Sequence, residues 1–264
     1  MPLADTVDRV RSGVFHIVYL RDSQRIASGT AFSSCGYLIT NYHVAQAPAA
    51  CDAWIRRAGD GEQDGVRMTG QAIRFRQVAA STEPNYDFAV LDLPDVVNRP
   101  NTHSFTLRGP RGKRVGELAA FLGYPYDHEN LTCHSGVISS FYRSGPAEVI
   151  QLDASVNPSN SGGPLIDPET GDVMGIITRR ATGLTRAFGQ LRATIEGNIG
   201  VLNAPGLPDI GLGGINLRQV LTAGQNQMLQ TLGEIERQAN VGIGYAFSAE
   251  HLMDDNIIFR AMHP

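Results

Sequence analysis

The chain has 264 residues, of which 42% are hydrophobic and 18% are charged, so it is long enough to bury a sizeable core. Its 22 Lys and Arg are outnumbered by 26 Asp and Glu, giving a formal charge of −4, so it lacks the basic surplus that a nucleic-acid partner requires. The 29 Gly and 14 Pro favour many short strands over a helical bundle and predict an all-β protein.

The pattern along the chain begins with a short helix and continues as strands. Residues 4–12 place Val7 and Val10 three apart, which predicts the helix. From residue 14 onward, short segments rich in β-branched and aromatic residues are divided by Gly, Pro, Asn or Ser. The basic segment at 106–114 separates two groups of these strands. Such spacing is typical of a β-sandwich or barrel in two halves.

After residue 178 the pattern changes. A stretch at 196–214 is punctuated by Gly, Pro and Asn, and Asn216 is then a candidate N-cap for a helix at about 217–238. The apolar residues of this helix fall on one side, at Leu217, Leu221, Met228, Leu232 and Ile235. Because strand-like residues resume at 241–248, we interpret 179–240 as an insertion. Its apolar side either packs on its own domain or serves as a lid, an activating-partner site or a homo-oligomer contact.

Composition and termini also limit the compartment and the ligands. Cys35, Cys51 and Cys133 are widely spaced and indicate a reduced set. The first 11 residues are polar and lack the order of a secretory signal, which favours a cytoplasmic chain. No apolar run reaches the roughly 20 residues of a spanning helix, so no membrane segment is expected. Ligand-type residues gather at 127–134 in no zinc-like spacing, and we expect neither a metal nor another cofactor.

One serine lies in a run that combines small and turn-forming residues. Ser161 is the centre of this run at 157–165, ahead of a strand-like segment. A hydroxyl alone is a poor nucleophile and needs a base and an orienting carboxylate. His43 closes one strand-like segment and Asp87 opens another, so both groups are available upstream. The chain order His, Asp, Ser is the order found in chymotrypsin.

Seven segments, in order, resemble the trypsin-like peptidases of the HtrA/Deg type. They are SGTAF (28–32), LITNYHVA (38–45), YDFAVL (86–91), GYP (123–125), SGVIS (135–139), DASVNPSNSGGPL (153–165) and VGIGYAF (241–247). The resemblance covers roughly 5–178 and 241–255, and it implies two perpendicular β-barrels of the chymotrypsin fold with short terminal helices. A PDZ domain often follows the peptidase in this family, and we expect none here. The N-terminal barrel would span about 12–105, and the C-terminal barrel about 113–178 plus 241–250.

The resemblance also implies an activity and the residues that carry it. The family is made of serine endopeptidases that act on protein or peptide substrates. Here His43 would be the general base, Asp87 the orienting carboxylate and Ser161 the nucleophile. The oxyanion hole would be formed at Ser159, Asn160 and Ser161.

One departure from the family pattern keeps a second hypothesis open. The family has Gly two residues before the nucleophile, whereas this chain has Ser159. A side chain there can favour a flipped peptide, and a lost oxyanion donor costs on the order of 3 kcal/mol. The alternative is therefore a catalytically weak or latent module that binds a peptide or partner and needs activation.

By position, the resemblance also predicts the pocket for the substrate residue before the scissile bond, called P1. Its candidate substrate-binding residues are Ser155, Val156, Asn157, Thr178, Arg179, Arg180 and Ile243. Since none is a carboxylate, we expect a small or medium apolar P1 residue. The paired arginines either meet acidic substrate residues or form a solvated face.

Overall fold

The computed structural model describes residues 2–48, 50–82, 85–178, 183–204, 211–212, 215–239 and 242–262. The strands, in chain order, are β1 (Val14–Arg21), β2 (Gln24–Ser34), β3 (Tyr37–Thr40), β4 (Asp52–Arg57), β5 (Val66–Thr69), β6 (Gln77–Ser81), β7 (Phe88–Leu91), β8 (Leu118–Gly123), β9 (Thr132–Ser144), β10 (Ala147–Asp153), β11 (Pro164–Ile166), β12 (Val173–Thr178), β13 (Gly211–Leu212), β14 (Ile215–Asn216) and β15 (Gly244–Ser248). The helices are α1 (Leu3–Val10), α2 (Tyr42–Ala45), α3 (Gly70–Phe75), α4 (Pro94–Val97), α5 (Gly183–Leu202), α6 (Leu217–Ala239), α7 (Glu250–Met253) and α8 (Asn256–Met262). The chain divides into two compact units, residues 1–179 with 242–264 and residues 180–241.

The first unit consists of two antiparallel sheets. The N-terminal half forms a seven-stranded sheet in the order β5-β4-β1-β2-β3-β7-β6, and the C-terminal half closes into a barrel in the order β10-β15-β12-β11-β8-β9. The predicted all-β, two-part fold of the chymotrypsin type is confirmed. The N-terminal sheet differs from a closed barrel, because its edge strands β5 and β6 are joined along the chain through α3 and pair with no described strand on their outer sides.

Three apolar clusters account for why these segments form strands. Central strands such as β1 and β12 are buried on both faces, so their sequences are almost continuously apolar. One cluster fills the N-terminal sheet and includes Phe15, Ile17, Leu38 and Leu91, and a second fills the barrel and includes Phe121, Ile150, Leu165 and Ile177. A third takes side chains from both halves, among them Phe32, Phe88, Tyr124, Ile166 and Val173. This shared cluster holds the two halves of the unit together.

The second unit contains a pair of helices, α5 and α6, and the two-stranded sheet β13–β14. Helix α6 coincides with the helix predicted at about 217–238, whereas α5 was not predicted from the sequence. Of the predicted apolar side of α6, Leu232 is buried, but the other four members remain 37–57% exposed: Leu217, Leu221, Met228 and Ile235. Within the described ranges, neither of these helices nor any other combines the length and apolar character needed to cross a membrane.

A histidine near the carboxyl terminus joins elements from both halves of the first unit. The ring of His251, in α7, stacks on Tyr86 with 4.1 Å between ring centroids. Its Nε2 accepts a hydrogen bond of 2.9 Å from the backbone N–H of Glu148 in β10, which requires the neutral ring. Burial lowers the pKa of His251, against the smaller opposing effect of the nearby acidic groups Glu148, Asp254 and Glu250.

We predict that His251→Gln reduces the loss of stability in acid. Because the pKa of His251 is lower in the folded chain than in the unfolded chain, the unfolded chain binds more protons as pH falls through the histidine range. The wild-type free energy of unfolding should therefore fall between pH 7.5 and 5, and the variant should lose less of it. Urea denaturation at both pH values measures this. The exposed-site variant His128→Gln should follow the wild type, and parallel curves for all three chains would contradict the prediction.

Candidate active site

The site begins where β3 and β7 lie side by side. These strands are antiparallel with Thr40 opposite Ala89, so the residues after β3 and those before β7 meet at one edge of the sheet. Helix α2 starts at that edge and carries His43, and Asp87 stands directly before β7. Strand pairing thus brings together two side chains that are 44 positions apart in the sequence.

Asp87 is fully buried, and its carboxylate accepts three hydrogen bonds. His43 Nδ1 lies 2.9 Å from Oδ2, the His43 backbone N–H donates to Oδ1 at 3.2 Å, and the Thr178 hydroxyl donates to Oδ2 at 3.0 Å. Asn41 Nδ2 donates to the Asp87 backbone carbonyl at 2.9 Å. A buried carboxylate needs such partners. With Nδ1–H directed at Asp87, the neutral ring of His43 presents Nε2 as a hydrogen-bond acceptor.

The turn that carries Ser161 is held between the two halves of the first unit. The backbone N–H of Thr30 donates to the Ser161 carbonyl, and that of Gly162 donates to the Ile177 carbonyl, both at 2.8 Å. Gly162 has φ of 88°, and a Cβ at this position would collide with Thr40, so only glycine fits. Ser161 therefore lies beside the end of β12 and beside the end of β3. The end of β3 is only three residues from His43 in the sequence.

The hydroxyl of Ser161 and the ring of His43 form no hydrogen bond with each other in this structure, although both lie in the described part of the chain. Contacts between nucleophile and base are often long in substrate-free sites and tighten when substrate binds. The backbone near both residues is nevertheless held by hydrogen bonds that involve Thr30, Asn41 and Ile177.

The loop before Ser161 has a defined peptide orientation. The backbone N–H of Tyr126 donates to the Pro158 carbonyl at 3.0 Å, and because this peptide is trans, the N–H of Ser159 points to the opposite side. Ser159 adopts the left-handed region with φ of 73°. The backbone N–H of Asn160 donates to the Asn157 carbonyl at 3.2 Å. This N–H is thus engaged within its own loop, and the contribution of Asn160 to an oxyanion hole stays a prediction.

The predicted pocket residues fall into different environments. Ser155 Oγ accepts from the backbone N–H of Gly242 at 2.8 Å, and Val156 is buried in the barrel core. Ile243 is 51% exposed, and a Cβ at Gly244 would lie 2.6 Å from Val156 Cγ2. Chain segments 155–156 and 242–244 therefore run against each other. Two further predicted residues, Arg179 and Arg180, lie outside the described residues.

Thr178 and Tyr126 have contacts that the sequence did not reveal. Thr178 was predicted to line the pocket, but its side chain is buried and its hydroxyl faces Asp87. Tyr126 was not predicted to belong to the site, yet its phenol donates to Asn157 Oδ1 at 2.7 Å and its N–H binds Pro158. Local sequence carries no signal for either contact, because both partners come from distant segments.

The described residues contain no group of three or more His, Cys, Asp or Glu side chains placed to hold a metal ion. In the segment where such residue types gather, His134 stacks on Phe121 with 4.7 Å between ring centroids, and its Nε2 lies 3.1 Å from the Thr132 hydroxyl. Burial lowers the pKa of His134. This ring therefore packs against its own barrel.

Residues 27–176, more than half of the chain, match the model of the trypsin-like peptidase domain, and the chain belongs to this family. The predicted resemblance to the HtrA/Deg type is also confirmed. A probable periplasmic serine endoprotease, DegP-like, of Pseudomonas putida is 31% identical over 160 residues, covering 59% of this chain and 29% of that protein. The chloroplastic Protease Do-like 5 of Arabidopsis thaliana is 30% identical over 169 residues, covering 60% and 50%.

Solved structures agree with these relatives. The HtrA-type protease AlgW with a tripeptide has a TM-score of 0.51 at 28% identity, covering 67% of this chain and 54% of that chain. A serine endoprotease from Yersinia pestis has a TM-score of 0.51 at 26% identity, covering 69% and 58%. The chain thus spans less than two thirds of the length of each of these relatives.

The prediction of a cytoplasmic chain is wrong. It is overturned by relatives from Pseudomonas putida and Halomonas elongata, which are named probable periplasmic serine endoproteases. The prediction rested on the polar first 11 residues. Their pattern shows only whether those residues form an export signal, and it does not fix the compartment of the protein.

We predict that Thr178→Val lowers stability more than a matched loss of a hydroxyl elsewhere. Thr178 donates to a buried carboxylate, and hydrogen bonds to charged groups contribute about 1.5–3 kcal/mol. The control Thr6→Val removes a 2.8 Å hydrogen bond to the neutral carbonyl of Pro168, a bond of about 1 kcal/mol. Urea denaturation at pH 7 measures both losses. Equal losses would mean that the Thr178 hydroxyl contributes nothing special to Asp87.

Proposed function

We propose that the chain is a serine endopeptidase. The observation that carries this proposal is the 2.9 Å contact between His43 Nδ1 and the buried carboxylate of Asp87, in a family whose relatives are named serine endoproteases. A buried carboxylate holds the imidazole in one tautomer and stabilises the imidazolium that forms during the reaction. The Thr178 hydroxyl supports this role, because it holds the carboxylate from the side of the barrel.

In the first half of the proposed reaction, Ser161 Oγ attacks the substrate carbonyl carbon. The hydroxyl proton passes to His43 Nε2 while the new O–C bond forms and the carbonyl oxygen becomes an oxyanion. His43 then returns this proton to the leaving amine as the C–N bond breaks, which leaves an acyl-enzyme. Water repeats the sequence in the second half: it loses a proton to His43, attacks the ester, and Ser161 recovers its proton.

The oxyanion would be bound by backbone N–H groups of Ser161 and Ser159. The N–H of Ser161 has no hydrogen-bond partner among the described residues, so it is available to a ligand. The N–H of Ser159 faces away from Tyr126 because the Pro158 carbonyl is bound there. Preorganised donors of this kind contribute the largest single part of catalysis in many such enzymes.

Peptide or protein is the proposed substrate, and a small or medium apolar P1 residue is the proposed preference. A solved relative is named as an HtrA-type protease with a tripeptide, which supports a peptide ligand. The segments 155–156 and 242–244 present an apolar core residue, Val156, and a hydroxyl, Ser155, but no carboxylate. The role of residues 179–240 as a homo-oligomer contact or activating-partner site stays a prediction.

The nucleophile is tested by intact-mass labelling with a fluorophosphonate probe. The wild type should gain one adduct and Ser161→Ala none, while Ser104→Ala, at an exposed position, should label like the wild type. Asp87→Asn should label about 10⁴-fold more slowly, since it stabilises the wrong tautomer of His43. A folded wild type that gains no adduct, or a Ser161→Ala chain that is still labelled, would contradict the proposal.

The P1 preference is tested with a peptide library and one charge variant. The wild type should cleave after small or medium apolar residues. Ser155→Asp keeps an acceptor for the Gly242 N–H and adds a negative charge, so it should shift cleavage toward Lys and Arg. Wild-type cleavage after basic residues would contradict the apolar preference, and an unshifted variant would mean that Ser155 does not line the pocket.

A further inference from the structure

The residue that departs from the family pattern, Ser159, is held by its own set of contacts. Its backbone is in the left-handed region with φ of 73°, which residues other than glycine rarely adopt. Its hydroxyl lies 2.7 Å from the hydroxyl of Ser28, and its carbonyl accepts a 2.7 Å hydrogen bond from the hydroxyl of Thr30. Two side chains of β2, those of Ser28 and Thr30, therefore bind Ser159 in the loop before Ser161.

The placement of these two side chains follows from strand geometry. Ser28 and Thr30 are alternate residues of β2, so their side chains project from the same face. Thr30 is buried and its own hydroxyl also accepts from the backbone N–H of Tyr124 at 3.2 Å, which fixes its position. Its backbone N–H binds the Ser161 carbonyl. Strand β2 thus makes three contacts with the loop, two with Ser159 and one with Ser161.

We infer that Ser28 is a positioning residue for the oxyanion hole, an inference that rests on the proposed function. Its hydroxyl contact holds the Ser159 side chain, and with the Thr30 bond it keeps the Ser159 backbone left-handed. That conformation leaves the Pro158 carbonyl on Tyr126 and the Ser159 N–H on the opposite side. The Ser28–Ser159 pair replaces the backbone freedom that glycine supplies in the family pattern.

The positioning role of Ser28 predicts that substitutions at positions 28 and 159 are coupled. The hydroxyl of Ser28 acts on the loop through the hydroxyl of Ser159, which glycine lacks. Removing the Ser28 hydroxyl should therefore disturb the Ser159 peptide more when residue 159 is serine than when it is glycine. A merely structural contribution of Ser28 to β2 would instead be the same whichever residue occupies position 159.

The test compares the wild type, Ser28→Ala, Ser159→Gly and the double variant, with p-nitrophenyl acetate as the acylating probe. Ser28→Ala should slow acylation about tenfold at an unchanged half-saturation concentration, less than the roughly hundredfold loss for a donor removed outright. In the Ser159→Gly background, the same substitution should change the rate less than about twofold. Ser28→Thr keeps the hydroxyl and should restore most of the wild-type rate.

A second measurement follows the peptide orientation without using activity. Because the Tyr126 N–H is bonded to the Pro158 carbonyl, its hydrogen exchange reports whether the peptide has flipped. Exchange at Tyr126 should accelerate in Ser28→Ala and return to its reference rate when Ser159→Gly is added. Equal effects of Ser28→Ala in both backgrounds, or none in either, would overturn the inference.

The two measurements also separate this inference from the proposed function. If the wild type shows no acylation that Ser161→Ala removes, the proposed function fails, and the exchange of Tyr126 still decides the role of Ser28. If acylation depends on Ser161 but the four chains show no coupling, only the positioning role fails. Should Ser28→Ala not fold, Ser28→Cys in both backgrounds replaces it in the same comparison.

Discussion

A carboxylate without access to water must be surrounded by donors, and this requirement at Asp87 organises much of the first unit. The donors come from His43 in the N-terminal half and from Thr178 at the end of β12 in the barrel. Neither half alone supplies the full set. The shared apolar cluster that includes Phe32 and Ile166 keeps the halves in the register at which these contacts form. The packing of the two halves thereby fixes the orientation of the His43 ring.

Strand β2 serves the barrel side of the site in a comparable way. Thr30 bonds the Ser161 carbonyl through its N–H and the Ser159 carbonyl through its hydroxyl, and it accepts from Thr40 through its own carbonyl. A residue of the N-terminal sheet is thus hydrogen-bonded to the loop of the barrel that carries the nucleophile. The presence of serine in place of glycine at position 159 is accommodated at this same strand, through Ser28.

The second unit shows where sequence patterns were least informative. Helix α6 has a regular apolar side and was predicted nearly to its ends, whereas α5 was missed. Beyond its first residue, Gly183, α5 contains three more glycines, at positions 189, 197 and 200, and each disfavours the helix by about 1 kcal/mol relative to alanine. Pairing with α6 favours the helix in spite of them, and a pattern read within one segment cannot include that pairing.

The sequence by itself determined the two-part β fold and the family, and it singled out His43, Asp87 and Ser161 as candidate site residues. Each is specified by its local setting: a residue at the end or start of a short apolar strand, and a serine followed by a glycine that the turn requires. Tertiary structure alone decided that Thr178 faces Asp87 and that Ser28 of β2 meets Ser159. These contacts join segments far apart along the chain, such as the 131 positions between Ser28 and Ser159. They depend on how strands from two halves pack, and no short stretch of sequence encodes that packing.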